Sequence, residues 1–257
     1  MAHEGLKERQ SAMWGTAPFV SIAETIADLH RAVADALDAR PGERALDLGC
    51  GTGGVAELLA ATGADVVGID LAPGLIEIAR SRAAERGLEI DYRVGDCESL
   101  DVEDAAFDAV GSSVGIMFSP THEATASELA RITKPGGRIA LANWTPGPGV
   151  QDLFKVMAPF QPAPPPSSPF DWGDEARVRE LLGDTFELGF ERRVNRAPYP
   201  SGAAYWEDMV ENYGPTTVLH ASLGERGDEL RAAWIEFFGD GPLEHERPYL
   251  LVTGRRR

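Results

Sequence analysis

Three aspartates, Asp47, Asp70 and Asp96, each sit at or beside the end of a short apolar run, and the first run opens into Gly49-Cys50-Gly51-Thr52-Gly53. Glycines at such a bend let the main chain turn tightly and approach a bulky ligand with no Cβ in the way. Gly49, Gly51 and Gly54 also satisfy the G-x-G-x-x-G dinucleotide fingerprint, so the bend alone leaves the ligand ambiguous. Asp47 favours one side. Two positions before the first glycine, a carboxylate attracts the ammonium or sulfonium end of a zwitterionic ligand and repels a pyrophosphate. Asp70, about nineteen residues beyond Gly51, is placed to accept hydrogen bonds from both hydroxyls of a ribose. Asp96 can accept from an adenine amino group while the Cys97 backbone N–H donates to a ring nitrogen, and ordinary dehydrogenases need no such third acid. Any one of these aspartates could be a turn-former or helix cap. Three at the ends of consecutive strands, on the edge where open α/β sheets bind ligands, point to a site.

The elements that must carry them alternate. Ile22, Ile26, Leu29, Val33 and Leu37 recur at helical spacing from Ser21 to Arg40, and Pro41-Gly42 ends that pattern. Strands are expected at Arg44 to Leu48, Ala64 to Asp70, Glu89 to Val94, Phe107 to Gly111 and Arg138 to Trp144. Helices are expected from Gly53 to Ala61, from Pro73 and from Thr121 to Thr133. Five strands separated by helices imply a parallel sheet wound on both faces. Thr145 to Trp172 carries eight prolines and reads as an irregular lid that cannot be a sheet strand. A short helix from Asp174 to Leu182, an alternating strand from Phe186 to Val194, two inserted helices at Ser201 to Tyr213 and Gly227 to Phe238, and a closing strand from Tyr249 to Thr253 complete the pattern. The 257 residues suit one α/β domain: an N-terminal helical cap (1–40), a cofactor-binding core (42–144) and cap insertions (145–173 and 199–240).

Lys and Arg number 24 against 41 Asp and Glu, a formal charge of −17, which argues against nucleic acid and anionic membrane as partners. Two cysteines, both in apparent ligand loops, suggest neither disulfides nor a zinc site, and no metal is expected. The first ten residues lack an apolar leader, so the expectation is a cytoplasmic protein. The expected partner is a small-molecule substrate, with a homodimer left open.

The chain resembles the class I S-adenosylmethionine-dependent methyltransferases, especially the branch of ubiquinone and menaquinone biosynthesis. The resemblance rests on Leu46-Asp47-Leu48-Gly49-Cys50-Gly51-Thr52-Gly53, Gly68-Ile69-Asp70, Val94-Gly95-Asp96, Phe107-Asp108-Ala109-Val110 and Glu128-Leu129-Ala130-Arg131-Ile132-Thr133-Lys134-Pro135-Gly136-Gly137-Arg138, all in order between Gly42 and Trp144. It implies a Rossmann-like, doubly wound seven-stranded sheet with an antiparallel last strand, helical cap insertions, and S-adenosyl-L-methionine as cofactor. Asp47 with Gly49, Cys50, Gly51 and Gly53 would hold the methionine portion, with Ser113 nearby. Asp70, followed by Leu71, would hold the ribose, and Asp96 with Cys97 the adenine. Leu100-Asp101-Val102 departs from the Leu-Pro-aromatic of many relatives, which weakens inference about the loop beside the adenine.

Methyl transfer from a sulfonium is a direct displacement, so alignment in a dry pocket supplies much of the rate and a general base is optional. His122 is the candidate base, because its segment should border the acceptor pocket; the bland reading is a first-turn helix residue. His30, beside the apolar face of the leading helix, reads as packed. Trp14, Phe19, Met117, Phe118 and Trp144 are the candidate acceptor contacts, for a hydrophobic, aromatic or polyketide-like molecule of secondary metabolism. Many of the aromatics would equally pack the cap onto the sheet. A nicotinamide-dependent oxidoreductase, or a protein that binds the cofactor without transfer, are the competing readings.

Overall fold

The computed structural model describes residues 3–161 and 165–257; residues 1–2 of the expected N-terminal cap and 162–164 of the expected proline-rich lid lie outside them. Among the described residues, seven strands form one sheet: β1 (Arg44–Leu48), β2 (Asp65–Asp70), β3 (Asp91–Val94), β4 (Phe107–Ser113), β5 (Thr133–Trp144), β6 (Phe186–Tyr199) and β7 (Leu243–Arg256), in the order β3-β2-β1-β4-β5-β7-β6. The first five pair in parallel, and β7 runs antiparallel between β5 and β6, as expected for the last strand. Ala45 to Leu48, Ala109 to Ser112 and Ile139 to Trp144 lie in the buried centre, covered by helices on both faces as central parallel strands require.

The helices are α1 (Glu4–Trp14), α2 (Val20–Thr25), α3 (Ala27–Leu37), α4 (Gly54–Ala60), α5 (Pro73–Glu85), α6 (His122–Ile132), α7 (Val150–Met157), α8 (Glu175–Leu182), α9 (Gly202–Asn212), α10 (Gly214–Leu223) and α11 (Arg226–Phe238). The expected helix from Ser21 to Arg40 is two helices, because the chain leaves helical geometry at Ile26 (φ −116°, ψ 18°). The cause is local. The Thr25 carbonyl accepts from Asn195 Nδ2 at 2.9 Å and from Arg247 at 2.7 Å, so side chains from the sheet take an oxygen that a continuous helix would use internally. α3 then buries Leu29, Val33 and Leu37 on the sheet, and Gly111 makes room, since a Cβ there would meet Leu37 and Val33 at 2.9 Å.

The proline-rich stretch is not wholly irregular: α7 fits inside it, between prolines at 148 and 159 that fall outside the helix. β6 and β7 run further than expected, pairing from Phe186 with Arg256 to Tyr199 with Leu243 as a long ribbon. A roof is stitched across one end of the sheet by the N-terminal segment and α9: Phe19 N–H donates to the Asn212 carbonyl at 3.1 Å, and Ser21 Oγ donates to Asp208 at 2.6 Å.

Candidate cofactor and acceptor site

The bend after β1 lies over the carboxyl ends of the central strands. Gly49 (φ +69°) crosses the loop after β4 so closely that a Cβ would stand 2.7 Å from the Gly115 Cα. Gly51 (φ +52°) faces open space, with nothing within 4 Å of where a Cβ would be. Gly53 (φ +90°) faces the other way, against the Tyr92 hydroxyl, and does not line the cleft below the bend.

Asp70 ends β2 beside that bare bend. Its Oδ2 accepts the Gly51 N–H at 2.8 Å and its Oδ1 the Ala72 N–H at 2.9 Å; burial pushes its carboxyl up while these bonds pull it down. Asp96 follows β3, its Oδ1 accepting the Glu98 N–H at 2.9 Å and its Oδ2 lying 2.6 Å from Lys7 Nζ, which also lies 2.5 Å from Glu98. Cys97 stands beside it, its thiol pushed up to about 12 by burial and therefore neutral. Cys50, Leu71 and Ser113 line the same cleft, and the Ser113 Oγ is buried with no hydrogen-bond partner. Asp47 is not in the lining. At 1% exposure it lies behind the bend, where its Oδ2 accepts the Ala56 N–H of α4 at 2.9 Å and burial pushes its carboxyl up to about 7.

The cleft continues past the bend into an apolar half. Trp14, Phe19, Phe118 and Trp144, four of the candidate acceptor contacts, line it, joined by Tyr213, whose ring centroid is 5.3 Å from that of Trp14; Trp14 and Phe118 centroids are 4.9 Å apart. Met117 is buried at 1% exposure and turned away from the cleft. His122 is also outside it: at the first turn of α6 its ring packs against Trp172, with Nδ1 3.9 Å from Asp171 and Nε2 unpartnered, so it borders the 169–173 turn instead of the expected pocket. The histidine that does line the cleft is His30, pushed down to about 4 by burial and hence neutral at pH 7. The empty space, mouth included, is about 1410 Å³, more than one small molecule needs.

α1 lies within the N-terminal cap expected over 1–40, but the sequence alone does not mark its Lys7, Gln10 and Ser11 as residues that fasten it over the cleft. Lys7, Gln10, Ser11 and Trp14 occupy one face of it at helical spacing: besides the Lys7 pairs, Gln10 Nε2 donates to the Phe118 carbonyl at 3.0 Å and Ser11 Oγ to the Leu71 carbonyl at 2.8 Å. Arg247, from β7, and Tyr205 and Met209, from α9, complete the apolar half; the closing strand was expected only from Tyr249, which left Arg247 outside it, and the expected helix from Ser201 to Tyr213 holds the other two without marking which face meets the cleft. Several motif residues hold the scaffold. Glu128 accepts the Leu100 N–H at 2.7 Å and Arg131 donates to the Val102 carbonyl at 2.7 Å, fixing the loop after the third acid, while Asp108 accepts the Arg44 N–H at 2.9 Å and pairs with Lys134 at 2.7 Å.

Residues 46–141 match the family described as a methyltransferase domain. Over 260 residues the chain is 34% identical to an uncharacterized protein of Mycobacterium tuberculosis, covering 96% of this chain and 93% of that one. It is 40% identical over 169 residues to the demethylmenaquinone methyltransferase of Beutenbergia cavernae, covering 60% of this chain and 69% of the relative. Among solved structures, the YcgJ protein of Bacillus subtilis superposes with a TM-score of 0.64 at 18% identity, covering 90% of this chain and 98% of that one. Geranyl diphosphate C-methyltransferase of Streptomyces coelicolor does so with 0.55 at 19% identity, covering 90% and 76%; at these identities the likeness shows the fold. Five ordered motifs, the strand order with its reversed β7, and kinship across more than two thirds of a methyltransferase establish that the chain belongs to the class I S-adenosylmethionine-dependent methyltransferases.

Proposed function

We propose that this chain binds S-adenosylmethionine in the half of the cleft walled by the ends of β1, β2 and β3, and directs its methyl to a small hydrophobic or aromatic acceptor in the other half. One observation carries this: a single continuous cleft joins two strand-end carboxylates and a bare glycine bend to an aromatic chamber. The residues present fit the cofactor. Gly51 leaves space a Cβ would fill, and the buried Ser113 hydroxyl lacks a partner that a polar ligand would provide. Asp70 would take the ribose hydroxyls, Asp96 and the Cys97 N–H the adenine, and Gly49, Cys50, Gly51 and Ser113 the methionine portion. Asp47 acts from behind the bend, bracing the start of α4, and the positive charge of a bound sulfonium would favour its ionised form.

When bound, the cofactor supplies an electrophilic methyl on a positively charged sulfur. The chain's own part is to orient and to exclude water: Trp14, Phe118 and Tyr213 close the apolar half, and α1 closes the polar half through Lys7. His30, neutral at pH 7, lines the cleft as a hydrogen-bonding imidazole, and the burial that keeps it neutral makes it a weak base. The demethylmenaquinone methyltransferase likeness covers 60% of this chain, so its substrate is not carried over.

The dinucleotide reading meets a specific obstacle, because the Gly51 N–H that would greet a pyrophosphate already donates to a carboxylate. Calorimetry separates the two. S-adenosylhomocysteine should bind one to one and NADH should not; the reverse result ends the proposal. Turnover of labelled S-adenosylmethionine against phenols, acids and amines separates an enzyme from an inert binder.

A further inference from the structure

The apolar half of the cleft contains a permanent positive charge that has scaffold bonds but no counter-ion among the described residues. Arg247, on β7 opposite Asn195 of β6, lines the cleft at 5% exposure. Its Nε donates to Asn195 Oδ1 at 2.6 Å, a terminal nitrogen donates to the Thr25 carbonyl at 2.7 Å, and its guanidinium lies 5.5 Å from the Trp144 ring centre. Both hydrogen-bond acceptors are neutral. Among the described residues no carboxylate pairs with it: Asp28, the acid whose charge reaches it, is instead engaged by Asn195 Nδ2 at 2.6 Å.

This is unusual within the molecule. Arg131 and Arg138, which do comparable scaffold work, each hold a glutamate partner, Glu128 and Glu43. Acidic side chains outnumber basic ones 41 to 24, so counter-ions are plentiful, yet none meets this cation. A buried guanidinium without a counter-ion is costly, and burial already pushes its proton affinity down. Two of its five N–H donors are taken by these bonds and the guanidinium also meets the Tyr205 hydroxyl, which leaves donors for a ligand oxygen. β7 lies beyond β4 and β5 from the strands that carry Asp70 and Asp96, so the charge stands at the far end of the cleft from the proposed adenosine site.

We propose that Arg247 anchors the anionic group of the methyl acceptor, so that the substrate class is an amphipathic organic acid, a carboxylate carried on an apolar or aromatic body. The planar fork of the guanidinium matches a carboxylate's two oxygens, and the aromatic walls of Trp14, Phe118 and Tyr213 take the body. The ion-paired carboxylate is held, not methylated, because pairing withdraws the lone pairs that would attack; the accepting atom lies elsewhere on the body. The acceptor role rests on the function proposed above, but the anion site does not.

The test uses the full chain, with 2-naphthoate, neutral 2-naphthamide and 2-naphthyl phosphate as probes, read by calorimetry and by the fluorescence of Trp14 and Trp144. Naphthoate should bind the unaltered protein at least about tenfold tighter than naphthamide. Arg247→Met should remove that preference while keeping naphthamide and S-adenosylhomocysteine affinity, and Arg247→Lys should restore part of it. Equal binding of naphthoate and naphthamide to the unaltered protein overturns the proposal without any variant. So does Arg247→Met losing S-adenosylhomocysteine but not the naphthoate preference, which would assign the cation to the cofactor. Tighter binding of naphthyl phosphate overturns the carboxylate assignment. Loss of S-adenosylhomocysteine binding by the unaltered protein, with the naphthoate preference intact, would sink the methyl-transfer reading and leave the anion site standing.

Discussion

The backbone N–H of Gly51 donates to the Oδ2 of Asp70 across 2.8 Å, tying the bend after β1 to the end of β2. One carboxylate thus shapes the bend and faces the ligand. Asp70→Ala frees the Gly51 and Ala72 N–H groups and removes the proposed ribose acceptor. Charge-assisted bonds are worth about 1.5 to 3 kcal/mol each, so S-adenosylhomocysteine affinity should fall at least about tenfold. Calorimetry measures this, and unchanged affinity would remove the ribose assignment.

Asp47 makes stability depend on pH. Burial holds its carboxyl at about 7, whereas an aspartate in the unfolded chain titrates at about 3.9. Between those values the folded protein binds a proton that the unfolded chain has released. The stability from this group is therefore full below about pH 4 and is lost as pH rises to about 7. Asp47→Asn, which keeps an oxygen for the Ala56 N–H, should gain on the unaltered protein by on the order of 2 kcal/mol in going from pH 5 to pH 8. Denaturant melts at the two pH values check the sign; a variant curve parallel to the parent's contradicts it.

Gly49 and Gly51 should respond differently to alanine. Both have positive φ, costing roughly 1 to 2 kcal/mol for an added Cβ. At Gly49 that Cβ also meets the Gly115 backbone at 2.7 Å, so Gly49→Ala should lower Tm severely. At Gly51 it meets nothing within 4 Å, so Gly51→Ala should fold with a modest Tm loss and bind S-adenosylhomocysteine poorly. Calorimetry beside thermal melts separates the two effects, and equal Tm losses would refute the contrast.

Lys7 fastens α1 to the polar half through Asp96 and Glu98. Lys7→Met should speed proteolytic cutting in α1 and weaken S-adenosylhomocysteine binding by a few-fold. The difference from the parent should shrink as salt is raised, since a partly exposed ion pair is screened. Timed digestion at low and high salt is the measurement.

The half of the cleft proposed for the cofactor could be located because the motifs at residues 46–53, 68–70 and 94–96 each fall at a strand end, and strand ends are marked by apolar runs giving way to glycine or aspartate. Spacing could not say which way a side chain turns. Asp47 and Gly53 occupy the expected positions in the chain, yet one caps α4 from behind and the other packs on Tyr92. His122 failed for the same reason, since a helix's first residue can turn toward either neighbour, and Trp172 claimed it. The break at Ile26 was invisible because its cause, Arg247 and Asn195 reaching the Thr25 carbonyl, comes from residues about 170 or more positions away. α10 was missed because Pro215, Thr216, Thr217 and Val218 favour other local geometry, and its packing against α9 and α11 outweighs that preference.

The seam where Phe19 meets Asn212 and Ser21 meets Asp208 bears on how acceptor choice could be transplanted between relatives. A chimera carrying only the late helices of another member would meet a foreign leading segment and leave both pairings mismatched. The opening twenty-odd residues and the stretch from α9 to α11 form one exchangeable unit, and its bonds to the sheet, Ser11 with Leu71, Asp208 with Tyr199 and Tyr205 with His245, must be matched in the recipient.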